Sequence, residues 1–368
     1  MLSILAVVAA VLAAAPAPTL VAPATGQGVF DYELHKVADG VYVAIRPDVF
    51  RQPVDGNVTF IVNEMDVVVV DSGGTVASAE SVIRLLRTVT DKPVRYLVNT
   101  HWHGDHNLGN VVFRREYPGA EIISTGNTAV AMTRENIGFE RFLPQMEQMV
   151  KELRQGVETG KDPEGKPLAE DRRARWKAMI PDIEAGAGEI RRAQLVPPTL
   201  MVQDGVALQR GNREIQIRYL GKGNTDGDLV VWLPKERIVV SGDLVVHPQP
   251  YGFGSYPREW IETLDKLVGL DYSYLVPGHG EVQRDAAYVR NLQALIRAVR
   301  DQVGQAVKEG ATLEQARARL NIGPELEQAF TGGEARRKTL LKGWFLDPFS
   351  LSAYKEAKGE PIVQGQQG

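Results

Sequence analysis

A dense cluster of histidine and aspartate side chains constrains the fold of this chain more than any other feature. The cluster has the pattern H-x-H-x-D-H and directly follows the apolar segment 94–98, which has the character of a buried strand. Imidazole nitrogens and carboxylate oxygens are ligands that suit zinc and similar divalent ions. The sequence therefore predicts a metal site at the end of a strand, formed by His101, His103, Asp105 and His106.

The composition excludes several kinds of chemistry and partner. The chain has 368 residues and a formal net charge of −4, without a basic run, so we predict no nucleic-acid partner and favour a small-molecule substrate. It contains no cysteine, which excludes a cysteine nucleophile, a thiolate metal ligand and an iron–sulfur cluster. A metal must therefore be held by nitrogen and oxygen ligands.

The N-terminal segment differs from the rest of the chain. Residues 2–15 are almost wholly aliphatic but too few to span a bilayer, and they lead towards the small residues Ala22, Pro23 and Ala24. We predict that residues 1–24 are a secretory signal peptide, so that the protein is periplasmic or secreted, without a stable membrane span after cleavage. The basic residues that usually precede such a segment are missing, which leaves open a start further upstream or a weak anchor.

Strand and helix patterns alternate along most of the chain, which is typical of an α/β layered fold. A helix is predicted at 77–89 and another begins at about residue 285 and continues to about 320. Strands are predicted at 58–62, 67–70, 94–98, 121–124, 200–202, 206–209, 215–220, 229–233 and 238–240.

The chain divides into one main domain and two additions after the signal peptide. We predict an α/β domain over residues 25–300 and a helical C-terminal extension with a tail over 301–368. A charged segment with helical spacing interrupts the domain at 133–197, and we predict that it is a helical insertion. The insertion could cover a site, mediate formation of a homo-oligomer, or be only a solvent-exposed addition to the domain.

Further chemistry-bearing residues lie in glycine-flanked turns. Asp71 follows the strand 67–70, Asp243 lies in a Ser-Gly-Asp sequence and His279 lies in a Pro-Gly-His-Gly sequence. Such side chains can complete a metal site or fix the orientation of its imidazoles. Tyr251 and Tyr256, in a glycine-rich loop, are candidates for the wall of a small-molecule cleft.

In this order the motifs resemble those of the metallo-β-lactamase superfamily, over about residues 30–290. The resemblance implies a four-layer αββα sandwich, with the metals at the edge between two sheets. It also implies that Asp71 orients the cluster. By the same resemblance a first metal is held by His101 and His103, a second by Asp105, His106 and His279, and both by Asp243 as a bridge.

One position departs from the family pattern. The third histidine of the first metal normally lies in a G-H-T turn before an apolar strand, and Asn224 has that place in the turn 221–228. An amide oxygen is a neutral and weaker ligand for zinc than imidazole. Three outcomes stay open: Asn224 ligates weakly, Asp226 or Asp228 substitutes for it, or the first site is empty at low metal concentration. We therefore expect one or two Zn²⁺ ions per chain, and other divalent metals are compatible with the same ligands.

The resemblance implies an exported zinc-dependent hydrolase. A bound divalent ion lowers the pKa of its water to about 7 and supplies hydroxide at neutral pH. The attacked bond would be an ester, a lactone, a thioester or an amide such as a β-lactam, with Asp105 and Asp71 as the candidate catalytic residues. Two alternatives stay open: a metallo-β-lactamase proper that acts on β-lactam antibiotics, and a non-catalytic metal-binding protein with a weakened first site.

Overall fold

The chain folds around two β-sheets, seen in a computed structural model that describes residues 15–24, 28–135 and 143–364. The first sheet has eight strands in chain order, antiparallel from β1 to β5 and parallel from β5 to β8. Its strands are β1 Thr19–Ala22, β2 Glu33–Ala38, β3 Val41–Ile45, β4 Val58–Val62, β5 Val67–Val70, β6 Val94–Val98, β7 Glu121–Thr125 and β8 Leu200–Val202.

The second sheet has five strands in the order β13-β12-β11-β10-β9, and only the pair β12 and β13 is parallel. Its strands are β9 Gly205–Arg210, β10 Arg213–Tyr219, β11 Leu229–Leu233, β12 Ile238–Val246 and β13 Tyr274–His279. The prediction ended the strand at residue 240, but β12 continues to Val246. Its pairing with β13 shifts register at Gly242, whose positive φ of 52° lets the strand kink and resume.

Helices cover the outer faces of both sheets, which confirms the predicted four-layer αββα arrangement. Within β5, Val68 and Val70 pack in the core between the two sheets, whereas Val67 and Val69 pack towards α1 and α3. Because both faces of this strand are covered, its sequence is continuously apolar and does not alternate with polar residues. The helices before the C-terminal extension are α1 Val76–Arg87, α2 Gly104–Asn107, α3 Asn110–Glu116, α4 Gly126–Glu135, α5 Leu143–Thr159, α6 Glu170–Arg192, α7 Pro257–Val268 and α8 Ala287–Lys308.

The segment for which a helical insertion is predicted contains an antiparallel pair of helices, α5 and α6. The pair is tied to the main body by the guanidinium of Arg51, which donates to both carboxylate oxygens of Asp182 at 2.6 and 2.8 Å. The Glu189 carboxylate accepts from the backbone N–H of Ala77 in α1 at 2.9 Å. These contacts fix α6 against the body, while much of its surface stays exposed. Residues 136–142 of the predicted insertion lie outside the described residues.

The C-terminal extension packs on the outer face of the second sheet. Phe345 and Phe349 are fully buried and stack at 4.7 Å, and both approach Trp260 of α7 within 6.4 Å between ring centroids. The extension consists of α9 Leu313–Arg319, α10 Pro324–Thr331, α11 Ala335–Leu341, a π-helical turn Lys342–Leu346 and α12 Asp347–Lys358, followed by residues 359–364 without regular structure.

The predicted signal peptide lies partly outside the described residues, which begin at residue 15. Within residues 15–24, Thr19–Ala22 forms the edge strand β1, paired with β2. The hydroxyl of Tyr274 donates to the Pro16 carbonyl at 3.0 Å, which adds a second contact with the body. In the described part of the chain, no helix combines the length and the hydropathy that a bilayer crossing needs.

Candidate metal centre

The residues predicted as metal ligands converge at one edge of the sandwich. The H-x-H-x-D-H cluster leaves β6 and runs into α2, while Asp243 lies at the kink of β12 and His279 is the last residue of β13. Two glycines make this approach sterically feasible. A Cβ at Gly278 would collide with the Asp243 carboxylate, and a Cβ at Gly56 would lie 2.5 Å from the His106 ring.

Three of the predicted ligands form a compact group around one point, the second metal site. His106 Nε2 lies 3.1 Å from His279 Nε2 and 3.6 Å from Asp105 Oδ2. The Asp105 Oδ2 atom lies 3.1 Å from His279 Nε2, and Asp243 Oδ1 lies 3.2 Å from His106 Nε2. Four tetrahedral ligands at zinc distances are about 3.4 Å apart, so these separations fit one ion. Asp105 is the most exposed member, with 25% of its side chain accessible.

The other oxygen of Asp243 faces the first site. Asp243 Oδ2 lies 3.6 Å from His101 Nε2 and 3.9 Å from His103 Nδ1. Because Oδ1 faces His106 and His279 while Oδ2 faces His101 and His103, the carboxylate stands between two groups of imidazoles. This is the arrangement that a bridging ligand needs.

The donor atoms of the centre fit a metal because hydrogen bonds do not satisfy them. His101 Nε2, both Asp243 oxygens and both polar atoms of the Asn224 side chain are buried and have no hydrogen-bond partner among the described residues. A buried polar atom without a partner costs about 1–3 kcal/mol. A divalent cation bound between His101 Nε2 and the Asp243 carboxylate, which lie 3.6 Å apart, would remove that cost for those atoms.

Hydrogen bonds on the far side of the rings set the tautomers that metal ligation requires. The Asp71 carboxylate accepts from His106 Nδ1 at 2.9 Å, and from the backbone N–H and hydroxyl of Thr100 at 2.8 and 2.9 Å. The Thr100 oxygen then accepts from His101 Nδ1 at 2.9 Å. Asp71 therefore lies behind the imidazoles and not among the clustered donors. With Nδ1 as the donor, the neutral form of each imidazole presents the Nε2 lone pair of His101 or His106 to the centre.

The pKa values of the centre differ according to the charges around each group. Burial, together with the nearby His106, lowers the pKa of His101 to about 4, so its imidazole is neutral at pH 7. Burial alone would lower the pKa of His106, but the carboxylates of Asp243, Asp105 and Asp71 raise it well above its ordinary value. Burial alone would raise the pKa of Asp243, but the imidazoles of His106, His279 and His101 hold it well below its ordinary range.

The turn 221–228 answers one question that the sequence left open. The Asp228 carboxylate accepts from the backbone N–H of Thr225 at 2.8 Å and from its hydroxyl at 2.7 Å, so it is occupied in closing the turn. Burial raises the pKa of Asp228 to about 8. Neither Asp226 nor Asp228 belongs to the clustered donor groups that the described residues form. Asn224 is 1% exposed, and both polar atoms of its side chain lack a hydrogen-bond partner among the described residues, so its role as a third ligand stays a prediction.

Buried amides that the sequence analysis did not single out hold the ligand loops in place. The side chain of Asn57 donates to the carbonyls of Pro277 and Gly280 at 2.9 and 2.8 Å, on either side of His279. Asn99 and Asn110 exchange two hydrogen bonds of 3.0 and 2.8 Å beneath the histidine cluster. These partners are 11 to 223 residues apart in the chain, so no local sequence pattern predicts the contacts.

Aromatic rings form one side of the centre. Tyr251 stands edge-on to His279 with ring centroids 5.1 Å apart, and Trp344 of the C-terminal extension stands edge-on to Tyr251 at 5.4 Å. Trp102 stands edge-on to His103 at 4.6 Å on the other side. Of the predicted wall residues, Tyr251 therefore contacts a predicted ligand directly.

The comparisons with known proteins agree with this geometry. The sequence model of the family described as the metallo-beta-lactamase superfamily matches residues 51–279, more than half of the chain. The chain belongs to this superfamily.

Individual relatives fall into two groups. A linear primary-alkylsulfatase from Pseudomonas sp. is 22% identical over 273 residues, which cover 70% of this chain and 48% of the relative. A metallo-beta-lactamase type 2 from Bacillus cereus is 38% identical over 88 residues, which cover 22% of this chain and 34% of the relative.

Solved structures share the fold. The sec-alkylsulfatase Pisa1 from Pseudomonas sp. superposes with a TM-score of 0.61 at 13% identity, covering 91% of this chain and 51% of that chain. A metallo-beta-lactamase from Pontibacter korlensis gives a TM-score of 0.50 at 17% identity, covering 72% of this chain and 99% of that chain. This chain thus spans about half the length of the alkylsulfatases that it matches.

Proposed function

We propose that the protein is an exported, zinc-dependent hydrolase with two metal ions, which cleaves an ester-type bond by attack of water. The observation that carries the proposal is Asp243, whose two buried carboxylate oxygens face two different pairs of imidazoles within one histidine cluster. We assign Asn224, buried and without a hydrogen-bond partner among the described residues, as the third ligand beside His101 and His103, and Asp105 as the third ligand beside His106 and His279. Seven side chains thus supply enough ligands for two ions.

Bound divalent ions would polarise the scissile bond and lower the pKa of a water to about 7. The side chains of the protein supply the rest. Asp105 is the ligand with the most accessible carboxylate, so it can orient the attacking water and accept its proton. Asp71 does not touch the reacting atoms in this scheme, because its oxygens are engaged by Thr100 and His106. We therefore assign it a positioning role.

The preferred substrate class is an ester of a carboxylic or sulfuric acid with an apolar body. Tyr251 and Trp344 give the edge of the centre an aromatic surface suited to such a body. The relation to a linear primary-alkylsulfatase extends over 70% of the chain, and the fold match to a sec-alkylsulfatase covers 91% of it. Both observations support a sulfate or carboxylate ester.

A β-lactam is the second candidate substrate. The match to the Bacillus cereus metallo-beta-lactamase reaches 38% identity, higher than the alkylsulfatase match, but it spans only 88 residues. The difference in coverage favours the ester over the lactam. Lactones and thioesters share the same carbonyl chemistry and belong in the same test.

The test is a substrate panel with the protein purified without chelator. The panel contains p-nitrophenyl acetate, decyl sulfate, a γ-lactone, an acyl thioester and a chromogenic cephalosporin. We expect turnover of an ester that His279→Ala abolishes. The matched control is His35→Ala, which removes a histidine that pairs with Glu33 on β2 instead of facing the cluster.

The outcomes separate the remaining readings. Retained turnover in His279→Ala would show that the reaction occurs elsewhere. Turnover of the cephalosporin alone would identify a β-lactamase. A protein that carries its metals and turns over none of the five substrates would favour the non-catalytic metal-binding alternative.

A further inference from the structure

The last described residue of the chain is buried beside the first metal site. Gln364 is 6% exposed, although it belongs to the irregular tail, residues 359–364, that follows α12. Its side-chain oxygen accepts from the indole N–H of Trp102, and its side-chain nitrogen donates to the hydroxyl of Tyr256 at 3.2 Å. The oxygen and the nitrogen of one amide therefore form hydrogen bonds with two different loops.

The first of these loops carries two metal ligands. Trp102 lies between His101 and His103 in the sequence and is 7% exposed. Its ring meets the His103 ring edge-on, with centroids 4.6 Å apart and planes at 75°. A hydrogen bond that fixes the indole therefore also restricts the orientation of the His103 imidazole.

The second loop adjoins the turn that carries Asn224. The backbone N–H of Tyr256 donates to the carbonyl of Gly223 at 2.9 Å, directly before Asn224. The ammonium of Lys222 lies 4.6 Å from the centre of the Tyr256 ring. Tyr256 is thus fastened to the turn through its backbone and through its ring.

From this connection we propose that the C-terminal tail organises the first metal site, with Gln364 as a positioning residue that ties the His101–His103 loop to the Asn224 turn. The proposal deepens the proposed function, because it concerns the same metal centre.

The reason lies in the weakness of the Asn224 ligand. A neutral amide binds zinc less strongly than imidazole, so the affinity of the first site depends more on how well its ligands are held in position. The second site does not depend on the tail for its supports, since Asp71 fixes His106 directly and Asn57 fixes the residues on either side of His279. Loss of the tail contacts should therefore weaken one site and spare the other.

The test is a zinc titration against a chromophoric chelator, which resolves two binding steps without any substrate. In Gln364→Ala and in a chain that ends at residue 359, we expect the weaker step to lose at least about ten-fold in affinity while the tighter step stays unchanged. Gln364→Glu keeps an acceptor for Trp102 and can accept from the Tyr256 hydroxyl, so its loss should be smaller than that of Gln364→Ala. A chain that ends at residue 364, and Val363→Ala at an exposed position, are the matched controls and should bind as the full chain does.

Three results would overturn the proposal: unchanged affinities in Gln364→Ala, equal weakening of both steps, or a single binding step in the unaltered protein. A tail that only stabilised the fold would lower the unfolding temperature and weaken both steps together. Because the readout is metal binding, failure of the proposed hydrolysis would leave this result interpretable.

Discussion

Replacement of Asp71 by asparagine tests how the centre depends on the groups behind its ligands. Asp71 has a positive φ of 61°, a conformation that asparagine also tolerates, so the change leaves the backbone unstrained. One oxygen can still accept from the Thr100 N–H. The new amide nitrogen, however, faces His106 Nδ1, which needs an acceptor there. The substitution therefore removes the tautomer control and little else.

The expected magnitude follows from the number of imidazoles that Asp71 controls. It contacts His106 directly and reaches His101 through the Thr100 hydroxyl, so both metal sites are affected. Loss of such a partner weakens metal affinity about 10- to 100-fold, which corresponds to about 1.4–2.7 kcal/mol per site. Loss of the hydrogen bonds to a charged acceptor should also lower the unfolding free energy by about 1.5–3 kcal/mol.

Chelator competition measures the affinities, and urea unfolding measures the stability. Asp66→Asn is the matched control, because Asp66 is a buried carboxylate paired with Arg210, outside the clustered metal donors. We expect the control to lose stability without a change in metal affinity. If Asp71→Asn bound zinc as tightly as the unaltered protein, the carboxylate would not set the tautomers and the reasoning would be refuted.

Three further predictions concern other parts of the molecule. Asn224→His should raise zinc affinity at the first site at least about ten-fold in the same competition assay, and an unchanged affinity would mean that Asn224 is not a ligand. The pKa of Asp228 is raised to about 8 in the folded chain, whereas it is about 4 in the unfolded chain. Between these pH values the folded chain keeps a proton that the unfolded chain loses. The contribution of Asp228 therefore lowers the free energy of unfolding as the pH rises from about 4 to about 8. Asp228→Asn should remove a slope of up to about 1.4 kcal/mol per pH unit in urea unfolding between pH 5 and 8, and parallel curves for both proteins would contradict this. Because Thr19–Ala22 pairs with β2, we expect any signal-peptide cleavage to fall before Thr19. Mass spectrometry of the mature protein tests this, and a mass that corresponds to a first residue after Ala24 would contradict it.

The central strands could be predicted from the sequence because their signals are local. The predicted bounds of β4, β5 and β6 agree with the structure, since each is a short apolar run between turn residues. The predicted helix 77–89 is α1 Val76–Arg87, displaced by one or two residues at its ends. The edge strand β1 could not be predicted, because only its pairing with β2 identifies it as a strand. Its own sequence has the composition of a signal peptide.

The candidate ligands could be predicted from the sequence for a similar reason. The residues that hold them in position could not. Four of the ligand residues lie within one short motif, so their clustering is visible without a fold. The contacts of Asn57 with the His279 loop and of Gln364 with Trp102 join residues 220 to 262 positions apart. Only the tertiary structure brings such groups together, and glutamine or asparagine in a loop carries no signal of its own. The burial of Asn224, which supports its proposed role, likewise could not be read from its position in the sequence.

The central claim is that Asp243 bridges two metal ions, and anomalous diffraction at the zinc edge tests it most directly. The crystals should be grown from protein purified without chelator. If Asp243 bridges two ions, two peaks should lie on either side of its carboxylate, one contacted by His101, His103 and Asn224, the other by Asp105, His106 and His279. A single peak, or peaks that Asp243 does not contact, would contradict it.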